Sequence, residues 1–121
     1  MAGNSVEKKA IELVIEFEKQ NGRQAKKVRN CGYDLISGGL KIEVKGRGAD
    51  KKPFVLLNQY NLEAVERESE DEYRLYVVMN PEKKPKLIIF KKSDVLKKKK
   101  ERRQWQIPLR KADFDRGIQL K

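Results

Sequence analysis

Asp34, Glu43 and Lys45 are residue types that can do chemistry together, and they sit close in the chain. They fall within Gly32-Tyr-Asp-Leu-Ile-Ser-Gly-Gly-Leu-Lys-Ile-Glu-Val-Lys-Gly46. Leu40-Lys-Ile-Glu-Val-Lys alternates apolar and charged residues. A strand sends alternate side chains to opposite faces. Leu40, Ile42 and Val44 therefore point into a core, and Lys41, Glu43 and Lys45 point the other way. Asp34 lies on a second short apolar segment upstream, so two carboxylates and a lysine converge at the edge of one hairpin. That constellation suits a metal-dependent phosphodiesterase. Carboxylates hold a hard divalent cation through oxygen, and a lysine orients water or stabilises the charge developing on phosphorus. The competing reading is a Glu-x-Lys pair decorating the solvated face of an amphipathic strand. Gly32-Tyr-Asp at hairpin distance favours the chemical reading. So do Gly46 and Gly48, where a backbone must turn or approach a ligand.

The elements that must position these residues are legible from pattern. Ser5 can cap a helix to about Asn21, after a loose Met1–Asn4, with Val6, Ala10, Leu13, Val14 and Phe17 on one face. Gln24 to Val28, Tyr33 to Ile36 and Leu40 to Lys45 read as strands, with Ser37-Gly-Gly39 as a hairpin turn. Gly46 to Pro53 reads as a loop. Phe54-Val-Leu-Leu leads into a helix capped by Asn58 and running to about Glu68. Tyr73 to Met79 and Lys86 to Phe90 form a strand hairpin. Ser93-Asp94 caps a short basic helix reaching about Arg103. Trp105 to Leu109 is a short strand or arm, and Lys111 to Gly117 a closing turn. The expected fold is α/β, in the order α-β-β-β-α-β-β. It forms one domain over residues 1–121, with a core over 5–90 and a basic C-terminal extension over 91–121.

Composition narrows the chemistry. The chain has 121 residues, no histidine and one cysteine, Cys31. Histidine-based catalysis and a zinc-ligand set are excluded, as is an internal disulfide. Cys31 reads as a small core residue, with a reactive thiol as the alternative. The chain has no signal-peptide pattern and no apolar run near the ~18 residues of a membrane span, so a cytoplasmic location is expected. Abundant Lys, Glu and Arg hint at a thermophile. The net charge is +11 and one-sided: residues 1–82 carry 14 basic and 14 acidic side chains, and residues 83–121 carry 15 and 4. Such a footprint suits a polyanion; the alternative is a solvated lysine-rich tail. Lys97, Lys98, Lys99, Lys100, Arg102 and Arg103 are the candidate phosphate-binding residues. Trp105 can stack on a base, but Trp-Gln-Ile-Pro-Leu reads rather as a packed strand.

The order of elements, with Asp34 and Glu43-Val-Lys45 on consecutive strands, resembles the restriction-endonuclease-like PD-(D/E)XK superfamily. More narrowly, four segments over roughly residues 5–90 resemble the NO VEIN C-terminal domain family. They are Gly32-Tyr-Asp34, Ile42-Glu-Val-Lys-Gly46, Phe54-Val-Leu with its polar-started helix, and Tyr73-Arg-Leu-Tyr-Val-Val. The resemblance implies a restriction-endonuclease-like mixed β-sheet flanked by helices. It implies that Asp34 and Glu43 ligate Mg²⁺ or Mn²⁺ with the Val44 carbonyl as a third ligand, and that Lys45 positions the attacking water. A helix-one glutamate often joins such sites. Glu12 matches it by distance from Gly22, although the helical face turns Glu12 to solvent and sets Glu16 nearer the apolar stripe. The superfamily's proline is replaced by Tyr33. Gln59 either contacts the site or a phosphate, or is an exposed first-turn residue.

Three functions follow. The first is a Mg²⁺-dependent DNA nuclease associated with a helicase or DNA-processing system. The second is a non-catalytic nucleic-acid-binding module on a nuclease fold. The third is a protein–protein module, with homodimerisation through the acidic run Glu66 to Glu72 and the basic tail.

Overall fold

Apolar residues at helical spacing, continued by Ile11 and Ile15, make the N-terminal segment a helix with one buried stripe. The computed structural model describes residues 2–48, 54–99 and 105–120. Its elements are α1 (Ala2–Gln20), β1 (Ala25–Lys27), β2 (Leu35–Ser37), β3 (Leu40–Arg47), β4 (Phe54–Leu57), α2 (Gln59–Arg67), β5 (Tyr73–Met79), β6 (Lys86–Lys91), α3 (Lys92–Lys98), β7 (Trp105–Pro108), α4 (Lys111–Asp115) and β8 (Ile118–Gln119). The fold is mixed α/β. Six strands form one sheet in the order β1-β2-β3-β5-β6-β8, and β4 pairs with β7 apart from it. β3 and β5 run parallel, and the other neighbours in the sheet are antiparallel. A parallel pair needs a crossover, which β4 and α2 supply.

The sheet is covered on both faces. Ala10 and Val14 of α1 pack on Ile42, Val44, Tyr76 and Val78. On the opposite face Val55, Leu57, Ala64, Val65, Val95 and Ile107 pack on Leu75, Val77 and Phe90. From Leu75 to Met79, β5 is therefore apolar without alternation, as a strand buried on both faces must be. The same layering decides the fate of β3. Ile42 and Val44 face α1, so Lys41, Glu43 and Lys45 face the α2 layer and not open solvent. Glu43 is only 4% exposed, which removes the reading of it as decoration on a solvated face.

Several boundaries depart from the sequence pattern, for physical reasons. α1 begins at Ala2, so Ser5 is not its cap; the Ser5 hydroxyl donates to Glu82 at 3.4 Å. Residues 54–57 form a strand because β7, some fifty residues later, pairs with them in the register Phe54↔Pro108 to Leu57↔Trp105. α3 starts at Lys92 because Asp94 reaches back to accept from the Lys91 N–H at 3.0 Å, while Ser93 donates to Glu70. The segment expected as a closing turn, Lys111 to Gly117, contains α4 and is followed by β8, which pairs with β6. Cys31 is half-exposed in the β1–β2 connection, its thiol donating to the Arg29 carbonyl, and so is not a core residue. Residues 49–53, Lys100, Arg102, Arg103 and the side chain of Trp105 lie outside the described residues. Among the described residues no helix is long and apolar enough to cross a membrane.

A buried carboxylate ties α1 to the sheet. Glu18 is fully enclosed, and Arg23 donates to both of its oxygens at 2.6 and 3.0 Å. The hydroxyls of Ser37 and Tyr76 donate to it at 2.8 and 2.7 Å. Burial pushes the Glu18 carboxyl up, but the donors from Arg23, Tyr76 and Ser37 outweigh it and hold it below the ordinary carboxylate range. Removing one member of such a set strands the others. Glu18→Ala should cost roughly 3 kcal/mol in urea-induced unfolding. Glu12→Ala, on an exposed position of the same helix, should cost under about 0.5 kcal/mol. Equal losses would show that the buried network is not what docks the helix.

Candidate functional site

β2 leaves β3 early, and this creates the site. Their ladder runs from Ser37↔Leu40 to Leu35↔Ile42. One further bond follows, from the Asp34 N–H to the Ile42 carbonyl at 2.8 Å. Beyond it the chain turns away, and the edge of β3 keeps N–H groups with no strand opposite. Two carboxylates take them. Asp34 Oδ2 accepts from the Val44 N–H at 2.8 Å. Glu7 Oε2, arriving from α1, accepts from the Gly46 N–H at 3.2 Å. In a strand the N–H and C=O of one residue point to the same side, so the Val44 carbonyl opens on this edge beside Asp34. Gly46 is what lets α1 come so near: a Cβ there would stand 3.1 Å from Val6 and Ala10 atoms.

Glu43 and Lys45 approach from the α2 face. Lys45 Nζ lies 3.2 Å from Glu43 Oε2. Lys41, further back on the strand, pairs instead with Glu68 at 2.7 Å. A cleft of about 730 Å³ gathers Glu7, Asp34, Glu43 and Lys45, with Arg29 and Tyr33 from the β1–β2 connection and Asn58, Tyr60 and Asn61 from the start of α2. That start is well built. Asn58 accepts from the Asn61 N–H and Asn61 accepts from the Asn58 N–H, a reciprocal cap. The Asn61 amide also donates to the Gly32 carbonyl at 3.1 Å, which fastens α2 to the turn before Asp34.

The carboxylates of the cleft are unevenly compensated. Burial, and then the Asp34 charge, push the Glu43 carboxyl from an ordinary 4.5 up to about 8, against the opposing pull of Lys45. Burial also raises Glu7, helped by Asp34 and opposed by the Gly46 N–H and Lys45. The Tyr73 hydroxyl is buried without a hydrogen-bond partner, and burial with the charges of Glu43 and Asp34 raises it well above its ordinary value. One oxygen of Asp34 is engaged by Val44 and one of Glu43 by Lys45, which leaves the second oxygen of each for a ligand. The donors are all oxygen, the chemistry that fits a hard cation such as Mg²⁺ or Mn²⁺. Among the described residues no group of three or more acidic, thiol or imidazole side chains is placed to hold a metal ion.

Of the residues expected from sequence, Asp34, Glu43 and Lys45 meet in this cleft, and the Val44 backbone touches it only through its N–H to Asp34. Glu12 and Glu16 are exposed on α1 and stand apart from it. The α1 glutamate that reaches the cleft is Glu7. Gln59 is exposed and donates to Glu63 at 3.3 Å; its neighbours Asn58, Tyr60 and Asn61 form the wall instead. Lys97 is exposed and away from the cleft. Lys98 is committed to Asp113 at 2.8 Å and lies over the Phe90 ring, and Lys99 is the half-buried cap of α3. The available signal for Glu7 was its place beside Val6 at the end of the apolar stripe. Tyr60 gave none beyond its position two residues after the cap.

A family model described as Protein NO VEIN, C-terminal, matches residues 6–90. The chain belongs to the NO VEIN C-terminal family. The match runs from α1 through β6 and so contains Glu7, Asp34, Glu43 and Lys45, while α3, β7, α4 and β8 lie outside it. No curated protein and no solved structure matches the chain.

The buried glutamate of this NO VEIN C-terminal domain leaves a pH signature. Its folded-state value lies above the unfolded one, so the protonated carboxyl favours the fold fully below about pH 4.5. That contribution is lost as pH rises through about 8. The Tm of the metal-free protein should therefore fall between pH 5 and 8. Glu43→Gln should flatten that slope and raise Tm at pH 8 by about 4 °C or more, the shift that ~1 kcal/mol gives in a chain of this size. A slope unchanged by the substitution would mean that Glu43 is ionised in the fold.

Proposed function

We propose that the cleft hydrolyses phosphodiester bonds of DNA with Mg²⁺ or Mn²⁺. The observation that carries this reading is the convergence of Asp34, Glu43, Glu7 and Lys45 on the open edge of β3. Asp34, Glu43 and the Val44 carbonyl would hold the ion, with Glu7 as the further carboxylate. When bound, the ion supplies Lewis-acid polarisation of a phosphate oxygen and acidifies nearby water. The chain's own residues do the rest. Lys45, steered by Glu43, presents an ammonium to the attacking water and to the negative charge building on phosphorus. The N-terminal turn of α2 lines the opposite wall, where a helix favours an anion. The water oxygen gives up a proton as it bonds to phosphorus, the ester P–O bond breaks, and the departing oxygen takes up a proton, so that the protons balance over the step.

The net charge of +11 supports a polyanionic substrate. Its concentration beyond residue 82 supports backbone contacts outside the cleft, with affinity that falls steeply in salt. Helicases or other DNA-processing machinery are the partners this reading favours.

The test is cleavage of labelled linear, nicked, flapped and single-stranded DNA with Mg²⁺ or Mn²⁺. Asp34→Ala and Lys45→Ala should each lower the rate by roughly 100-fold or more, and Glu7→Gln by roughly 10-fold or more. Glu12→Gln should leave it unchanged. Absence of cutting on every substrate, with salt-sensitive binding equal in all variants, would replace this reading by a nucleic-acid-binding module without catalysis.

A further inference from the structure

Tyr60 has no folding role that explains where it is. Of the four tyrosines, Tyr73 and Tyr76 are buried and Tyr33 packs against the core. Tyr60 is 73% exposed, yet it lines the same cleft as Asp34 and Glu43. Its mount is rigid. The ring stands on the first turn of α2, inside the reciprocal cap of Asn58 and Asn61. The backbone beneath it lies so close to Gly32 that any Cβ there would collide with the Tyr60 carbonyl oxygen, and Gly32 sits at φ +82. An exposed aromatic on a fixed turn is poised to stack a planar ring. Arg29 lines the same cleft and adds a cation for a phosphate.

We propose that Tyr60 is a stacking platform for an unpaired nucleobase and gives the cleft a preference for single-stranded or frayed DNA. This rests on reading the cleft as a phosphodiester site and names the form of its substrate. In a duplex both faces of a base are covered by its neighbours, so Tyr60 can take only a base that has left the stack. A base held there sets the adjoining phosphate against the carboxylates and Lys45. Stacking is tolerant of base identity because every base has a π-face, so Tyr60 selects strand form and not sequence.

The experiment measures binding of labelled oligothymidylate, a matched duplex, and an abasic strand of equal length, with Ca²⁺ as a non-hydrolytic stand-in. Tyr60→Ala should weaken the base-bearing single strand by roughly 5- to 100-fold. It should leave duplex and abasic strand unchanged, and Tyr60→Phe should retain wild-type affinity. Equal losses on the abasic strand, no loss on any strand, or no binding of any strand by the wild type would overturn the proposal. Cleavage measured in parallel separates the two readings. A chain that cuts but whose Tyr60→Ala variant binds normally loses the stacking claim alone. A chain that does not cut, yet needs Tyr60 for the base-bearing strand, loses the catalytic claim alone.

Discussion

The edge of β3 beyond Ile42 is the constraint on which the site depends. A strand edge must satisfy its N–H groups, and here β2 has already turned away. Asp34 and Glu7 close the gap at Val44 and Gly46. Two negative side chains thus stand where a neutral strand would have been, and the same turn leaves the Val44 carbonyl beside them. The residues that satisfy the strand edge are the same oxygen donors on which the proposed cation site rests. That is why the site sits where the sheet ladder stops.

The layers on either face turn this edge into a charge problem. α1 presses close at Gly46 and brings Glu7. The α2 layer covers the other face and strips water from Glu43. Lys45 is the lysine of this face that stands at the cleft, because Lys41 is held by Glu68. Lys45 is the cation paired with Glu43, and a buried carboxylate without enough compensation takes up a proton. Glu18 is the instructive contrast. It is at least as enclosed, but Arg23, Ser37 and Tyr76 supply four donor contacts, and its carboxyl shifts down where that of Glu43 shifts up. Glu18 has what a structural carboxylate requires. Glu43 lacks it, and this deficit supports the reading of the cleft as a cation site.

Much of this was legible in the chain. The period of two in Leu40 to Lys45 placed Glu43 and Lys45 on one face, and Gly32-Tyr-Asp placed Asp34 beside them, because local patterns report local geometry. Asn58 as a cap and the apolar run Leu75 to Met79 of β5 were legible for the same reason. What the sequence hid was non-local. The strand at residues 54–57 exists through a partner at 105–108. That Glu43 is buried, rather than on a solvated face, was not readable from the alternation alone. Glu7 required knowing which turn of α1 touches Gly46, and spacing from Gly22 pointed to Glu12 instead. Glu18 looked like one more charge near the helix end, since its partners come from three separate segments. The basic run suggested a uniform phosphate grip, yet Lys98 is spent on Asp113.

The most direct test is calorimetric titration of the metal-free chain with Mn²⁺ near pH 7, in two buffers of different ionisation enthalpy. A cation that relieves the crowded carboxylates must displace the proton held by Glu43, since ligands bind metal deprotonated. The account predicts Mn²⁺ binding coupled to proton release, with both abolished in Asp34→Asn, and with the binding weakened and the proton release lost in Glu43→Gln. Absence of Mn²⁺ binding, with and without a DNA strand present, would contradict it. Binding that is indifferent to Asp34 and releases no proton would contradict it equally.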